Sequence, residues 1–160
     1  MKDALRFKDT LRLEGKAVLR VTDPKTGELV KTIGANNVIC TVGKGLIGDM
    51  LIDVSGYDTG LTYCAIGTSA ATAVASGTIL TGEYFRKAIT SKSRLSTEIT
   101  VSTFFTATEG SANIKEAGIF GHSTAGTAKN SGIMFARWLV AFNNSSGLFD
   151  LTFDHITSIS

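Results

Sequence analysis

Residues 38–54 read VICTVGKGLIGDMLIDV. A short apolar run leads into Gly43-Lys44-Gly45-Leu46-Ile47-Gly48, which spells G-x-G-x-x-G, and then into a stretch with helical spacing. Strand, glycine loop and helix, in that order, are what a dinucleotide-binding unit requires. Such a unit would make the chain an α/β protein with a parallel sheet. It would also need an acidic residue about twenty positions past the glycines to hold the ribose. The next apolar run, LTYCAIG at 61–67, ends in Gly67-Thr68 without a carboxylate, and the nearest acid, Asp58, falls before it. No further helical patterns follow to cover the faces of a parallel sheet. Glycines at 43 and 45 suit a tight strand-to-helix turn equally well, and Gly48 lets a helix lie close to a sheet. The stretch therefore predicts a buried strand over 38–42 and one helix over about 44–54. Leu46/Met50 and Ile47/Leu51 are four apart and Val54 follows three later, which gives the helix one apolar face. No nucleotide is expected.

Outward from this stretch the period is two. In GKAVLRVT (15–22), Ala17, Leu19 and Val21 share a face, and Asp23-Pro24-Lys25-Thr26-Gly27 is turn chemistry. ELVKTI returns, so residues 16–33 read as a hairpin. Strands are expected over 61–67 and 83–90, with a loose Ala/Ser/Thr/Gly loop between them. RLSTEITVSTFFTA reads as one long strand, with Leu95, Thr97, Ile99, Val101, Thr103 and Phe105 on one face. NIKEAGIF (113–120), IMFARWLVAF (133–142) and LFDLTFDHITSI follow, separated by a loop over 121–132 and the turn Asn143–Gly147. IMFARWLVAF is apolar on both faces apart from Arg137, as a central strand would be. About eight strands and one short helix predict an all-β fold, an antiparallel β-sandwich or jelly-roll-like barrel. Residues 1–14 read as an N-terminal arm and 15–160 as a single β-sandwich domain.

Composition narrows the function classes. The 160 residues are 43% hydrophobic and only 19% charged, with 17 glycines, so Ser, Thr and Asn supply much of the surface polarity. Such a lean, Thr-rich surface is typical of β-proteins that live inside assemblies. A formal charge of +2 is too small to imply a nucleic-acid or membrane partner. The loose basic cluster Arg86, Lys87, Lys92 and Arg94 reads as a solvated face. The amino terminus has charges every few residues, unlike a signal peptide or an anchor. Cys40 and Cys64 each lie in an apolar run and read as buried thiols.

No constellation for catalysis stands out. His122 lies in a loop and His155 in the last strand, and both read as structural or surface residues; no G-x-S-x-G elbow is present, and no spacing suggests a metal. No cofactor is expected. Asp150 and Asp154 share a strand face about 13 Å apart at the strand rise, too far for a glycosidase pair, and read as a solvated outer face. Glu83, Arg86, Glu116 and Arg137 are different, because each is a charge inside an apolar strand. Buried charges are costly unless paired. They read as one or two structural salt bridges, with Arg137 paired to Glu116 or Glu83.

Several motifs, in order, resemble a widespread type of tailed-bacteriophage virion protein. These are the Thr26-Gly27-Glu28 hairpin leading to Asn37-Val38-Ile39, then Gly43, then Tyr63-Cys64-Ala65-Ile66-Gly67-Thr68. Thr78, Leu80, Glu83 and Arg86 follow as T-x-L-x-x-E-x-x-R, then Glu116-Ala117-Gly118-Ile119-Phe120, Phe135-Ala136-Arg137 and Leu151-Thr152-Phe153. The resemblance spans roughly residues 15–156 and implies a non-enzymatic virion structural protein, made in the host bacterial cytoplasm. A capsid decoration (cement) protein is the expectation, with a tail, neck or fibre component as the alternative. Expected partners are further copies of the chain, with a trimer implied by the resemblance, and the major capsid protein or another virion protein. A glycan-binding module, with Tyr57, Tyr84 and Trp138 as platforms, is a rival from another class; Trp138 lies in the most apolar strand and reads as core. Leu5, Phe7, Leu11 and Leu13 lie outside the recognisable β-domain and are the candidates for an assembly arm.

Overall fold

The computed structural model describes residues 10–52 and 60–160. Nine strands and one helix follow in order: β1 Leu13–Thr22, β2 Leu29–Ile39, α1 Thr41–Leu51, β3 Leu61–Gly67, β4 Glu83–Ala88, β5 Ser91–Leu95, β6 Glu98–Phe105, β7 Asn113–Gly121, β8 Ile133–Asn143 and β9 Asp150–Ile159. They hydrogen-bond into one antiparallel sheet in the order β4-β3-β7-β8-β2-β1-β9-β6-β5. The expected all-β fold is observed, as a curled sheet whose two halves face each other across one core.

Two places make the curl. β2 pairs with β1 from Leu29 to Asn36 and then with β8 from Asn37 to Ile39, so it passes from one half to the other. At the opposite side, the chain crosses from edge strand β4 to edge strand β5 through Ile89 and Thr90. Ile89 N donates to Thr62 O of β3 and Thr90 N donates to Ser102 O of β6, both at 2.9 Å. Leu19, Val101, Phe105 and Phe153 from one half meet Ile66, Ala117, Ile119 and Trp138 from the other in the shared core.

The β1–β2 hairpin forms where turn chemistry placed it. Asp23 Oδ1 accepts from Lys25 N at 2.7 Å and Thr26 N at 3.3 Å, and Gly27 takes φ +72°. β1 begins at Leu13, two residues before the expected domain boundary, and pairs with β9 along its whole length. Leu13 therefore belongs to the sheet rather than to an arm.

Three further expectations are corrected. The strand over 38–42 stops at Ile39, and Thr41 and Val42 lie in the first turn of α1, whose first helical bond runs from Lys44 N to Cys40 O. The helix thus covers 41–51 rather than 44–54; Val54 lies outside the described residues. The long strand over 94–107 is a hairpin, with Leu95 paired to Glu98 and Ser96 in a left-handed conformation at φ +53°. Leu95 is 82% exposed and does not share the face of Ile99 and Val101.

The glycine motif is explained by packing. A Cβ at Gly43 would collide with the backbone of Phe135 in β8, so glycine here lets the helix touch the sheet. Gly45 and Gly48 have open space around them, so Gly48 is not the close-contact position.

Candidate functional site

The four embedded charges form two pairs on the outer face of the half-sheet β4-β3-β7-β8. Arg137 Nε and Nη2 lie 2.9 and 2.7 Å from Glu116 Oε2. Arg86 Nε and Nη2 reach Glu83 Oε1 and Oε2 at 2.7 and 2.9 Å. All four residues are buried. Register decides the partner: Arg137 faces Gly118 across the ladder, one inter-residue pair from Glu116 on the same face.

Each pair fastens a loop. The Glu116 carboxylate accepts from Thr81 N at 3.2 Å and Gly82 N at 2.6 Å, while Arg137 donates to Ala71 O at 2.8 Å and Thr72 O at 3.2 Å. Residues 68–82 are thus held at both ends. Glu83 Oε2 accepts from Asn130 N at 3.0 Å, and Arg86 Nη1 donates to Gly126 O at 3.2 Å and Ser131 O at 2.9 Å. Residues 122–132 are held in the same way. Beneath the loops Cys40, Ala65, Leu80, Phe120 and Met134 form a second, smaller core. Arg86 also lies 4.5 Å above the Phe120 ring, a cation–π contact. Both pairs are buried, and their remaining hydrogen bonds go to the two loops they hold.

The basic cluster disperses. Arg86 is buried in its pair, which corrects its reading as part of a solvated face. Lys87 pairs with Glu109 at 2.7 Å. Arg94 donates to Ser96 O at 2.6 Å in exposed β5, and Lys92 stands elsewhere on that strand.

The remaining polar candidates are also structural in place. His155 is buried, with Nδ1 2.8 Å from Asn37 Nδ2 and Nε2 2.9 Å from Thr157 Oγ1. Its ring stacks on Trp138 at 5.6 Å, and burial lowers its pKa to about 4. Asp154 is not the solvated carboxylate expected. It is buried against Arg20 at 2.9 Å and Ser102 at 2.6 Å. Asp150 Oδ1 accepts from Ala107 N at 2.7 Å. Cys40 and Cys64 are free and buried; burial raises both thiols, Cys64 to about 12. Trp138 is core, whereas Tyr84 is partly exposed and donates to Ser111 O at 3.1 Å. Tyr57, Leu5 and Phe7 lie outside the described residues. Among the described residues no cluster of three or more His, Cys, Asp or Glu could hold a metal.

What stays open is an apolar groove of about 460 Å³ at the end of the curled sheet, under α1. Leu46, Ile47, Met50 and Leu51 of the helix form one wall; Leu13, Ile99, Val101, Thr157 and Ile159 form the other. Phe135 also lines it, and among the described residues Lys92 is the one charged lining residue. Met50, Leu51 and Ile52 remain 52%, 79% and 73% exposed at its rim. The helix's apolar face was legible in its spacing but the groove was not, because Ile99, Val101, Phe135 and Ile159 carry the same period-two signal as core residues. Topology alone places them at an open end.

The chain matches no family model, no curated protein and no solved structure.

Proposed function

We propose that this chain is a non-enzymatic structural protein of a tailed-bacteriophage virion, a capsid decoration protein that works by self-association and docking. The observation that carries the reading is the groove with its exposed helix end. Leu51 and Ile52 are each more than 70% exposed beside an apolar cleft. Leaving such side chains in water forgoes about 1.5–3 kcal/mol for each one that could be fully buried, so a binding partner is favoured. The ordered motifs that resemble phage virion proteins support the same reading and supply its setting. The loop clamps fit a part that must hold its shape while bearing on neighbours.

Cryo-electron microscopy of particles from a phage encoding this chain tests the proposal. Density for the curled sheet on the capsid exterior is the expected result. Density on the neck, tail or fibre would move the protein to another part of the virion. Its absence from purified particles would refute the proposal.

A further inference from the structure

The sheet ends in two edge strands, β4 and β5, and the chain secures only one of them. β4 is tied down by its own side chains. Glu83 accepts from Asn130 N, Arg86 donates to Gly126 O and Ser131 O, Tyr84 donates to Ser111 O, and Lys87 pairs with Glu109. β5, Ser91-Lys92-Ser93-Arg94-Leu95, is exposed at all five positions. Among the described residues its one strand neighbour is β6, and outside that ladder its one hydrogen bond runs from Arg94 to Ser96 O in the same hairpin. A strand with a free edge is a template for another strand.

Register gives this edge two unlike faces. Lys92 stands opposite Val101 and Arg94 opposite Ile99, and both β6 residues line the groove. Residues opposite each other share a face, so the two cations lie on the groove side, and Lys92 itself lines the groove. Ser91, Ser93 and Leu95 fall on the other face, with Leu95 82% exposed. Among the described residues neither Lys92 nor Arg94 is in an ion pair.

A lysine on an edge ordinarily guards against indiscriminate pairing. Two cations at alternate positions also select, because a strand laid beside β5 must set its own side chains opposite them. Opposite charges there stabilise and like charges destabilise. A second copy of β5, paired antiparallel about Ser93, would set Lys92 against Arg94. The β4 edge of a second copy offers one acid, Glu83, which is buried and already bound by Arg86. The charge pattern disfavours both of the chain's own edges and fits a segment of a different protein.

We infer that β5 receives an extended acidic segment of a neighbouring virion protein, added to the edge of the sheet. Two carboxylates at alternate positions lie opposite Lys92 and Arg94, and an apolar residue lies opposite Leu95. The inference rests on the docking proposed above and names one of its contacts. In strand addition, main-chain hydrogen bonds supply the attachment and alternate side chains supply the choice of partner.

The test titrates a synthetic decapeptide of alternating Glu and Val into the isotope-labelled full-length chain, with a Lys/Val decapeptide as control. The expected result is that the Glu/Val peptide alone shifts the amide resonances of Ser91–Leu95 and slows their hydrogen exchange. The charge-reversed variant Lys92→Glu/Arg94→Glu, altered at two exposed sites, should bind the Glu/Val peptide at least about tenfold more weakly and gain affinity for the Lys/Val peptide. An equal response to both peptides, shifts centred elsewhere on the surface, or no shift at millimolar peptide overturns the inference. Shifts without slowed exchange would mean contact through side chains only, and overturn it as well. Electron microscopy of the particle separates this from the parent reading. An extended neighbouring segment along β5 supports strand addition. A particle-bound chain whose β5 faces solvent overturns strand addition but keeps the docking, and a chain absent from particles overturns both.

Discussion

At the scale of single residues, charges inside the sheet are organised around loops. Arg137 joins Glu116, Ala71 and Thr72, so its removal leaves a buried carboxylate and two carbonyls without their donor. Breaking one partner of such a pair costs about 3–5 kcal/mol. Arg137→Ala should therefore lower the melting temperature markedly, and limited proteolysis should cut within 68–82 while 122–132 stays resistant. A shift of only a degree or two would mean the clamp contributes little. His155 gives a pH dependence of definite sign. Its folded pKa is about 4 against an ordinary 6.5, so the unfolded chain takes up the proton first as pH falls. The stability that neutral His155 provides is complete above about pH 6.5 and is lost as pH falls through the interval to about 4, amounting to about 3 kcal/mol. His155→Gln, measured by urea unfolding, should flatten that part of the wild-type profile; an unchanged slope would assign it to other groups. The need for a partner at Arg137 could be read from a lone guanidinium in an apolar run. The Asn37 partner of His155 could not, since it lies 118 positions away and is brought there only where β2 changes neighbours.

At the scale of elements, two glycines of the opening motif, Gly43 and Gly48, have opposite consequences. Gly43→Ala must push against Phe135 backbone, which cannot give way as a side-chain tip would, and overpacking of this kind typically costs about 1–3 kcal/mol. Gly48→Ala meets open space in a helix interior and should stabilise by up to about 1 kcal/mol. Denaturant midpoints for the two variants should move in opposite directions; destabilisation at Gly48 would mean the helix sits closer to the sheet than described. The motif's type was therefore legible, a helix start and not a phosphate cradle, while the glycine making contact was not. Legibility failed elsewhere for a related reason. Ser96-Thr97 turns the chain between β5 and β6 without glycine, asparagine or proline, and polar-apolar alternation runs on through it. A turn with no turn residues looks like more strand. By contrast, IMFARWLVAF declared itself, because Met134–Trp138 are covered by the main core on one face and by the clamped loops on the other. The motif residues behind the phage resemblance converge there too: Leu80, Glu83, Arg86, Glu116, Phe120 and Arg137 all serve the loop-covered face. They describe how the sheet is covered, and carry no information about where the protein attaches.

At the scale of the whole molecule, the question is whether a sheet that curls at only two places unfolds as one body. A chain of aromatic contacts runs between its halves. Phe85 of β4 meets Phe105 of β6 at 6.2 Å, Phe105 meets Phe153 of β9 at 5.7 Å, and Phe153 meets Trp138 of β8 at 6.5 Å. Edge-to-face pairs like the first two add about 0.5–1.5 kcal/mol each beyond the apolar area they bury. Phe105 is fully buried and belongs to the first two contacts, so it couples strand β4 of one half to strands β6 and β9 of the other. Neither half can expose its inner face without stripping the other. The groove does not interrupt these contacts: residues of both halves line it beside α1, and none of the four aromatic residues in these contacts is among them. Trp138 is the sole tryptophan, buried at the centre, and reports on the core directly. Thermal unfolding should therefore give superimposable transitions by Trp138 fluorescence and by far-ultraviolet circular dichroism, as a single cooperative unit requires. Phe105→Ala should cost about 3–5 kcal/mol and lower both midpoints together, by roughly 6–20 °C for a chain of this length. Two separated transitions in the wild type, or a Phe105→Ala shift seen by only one probe, would show that the halves are independent bodies joined at β2 and Ile89.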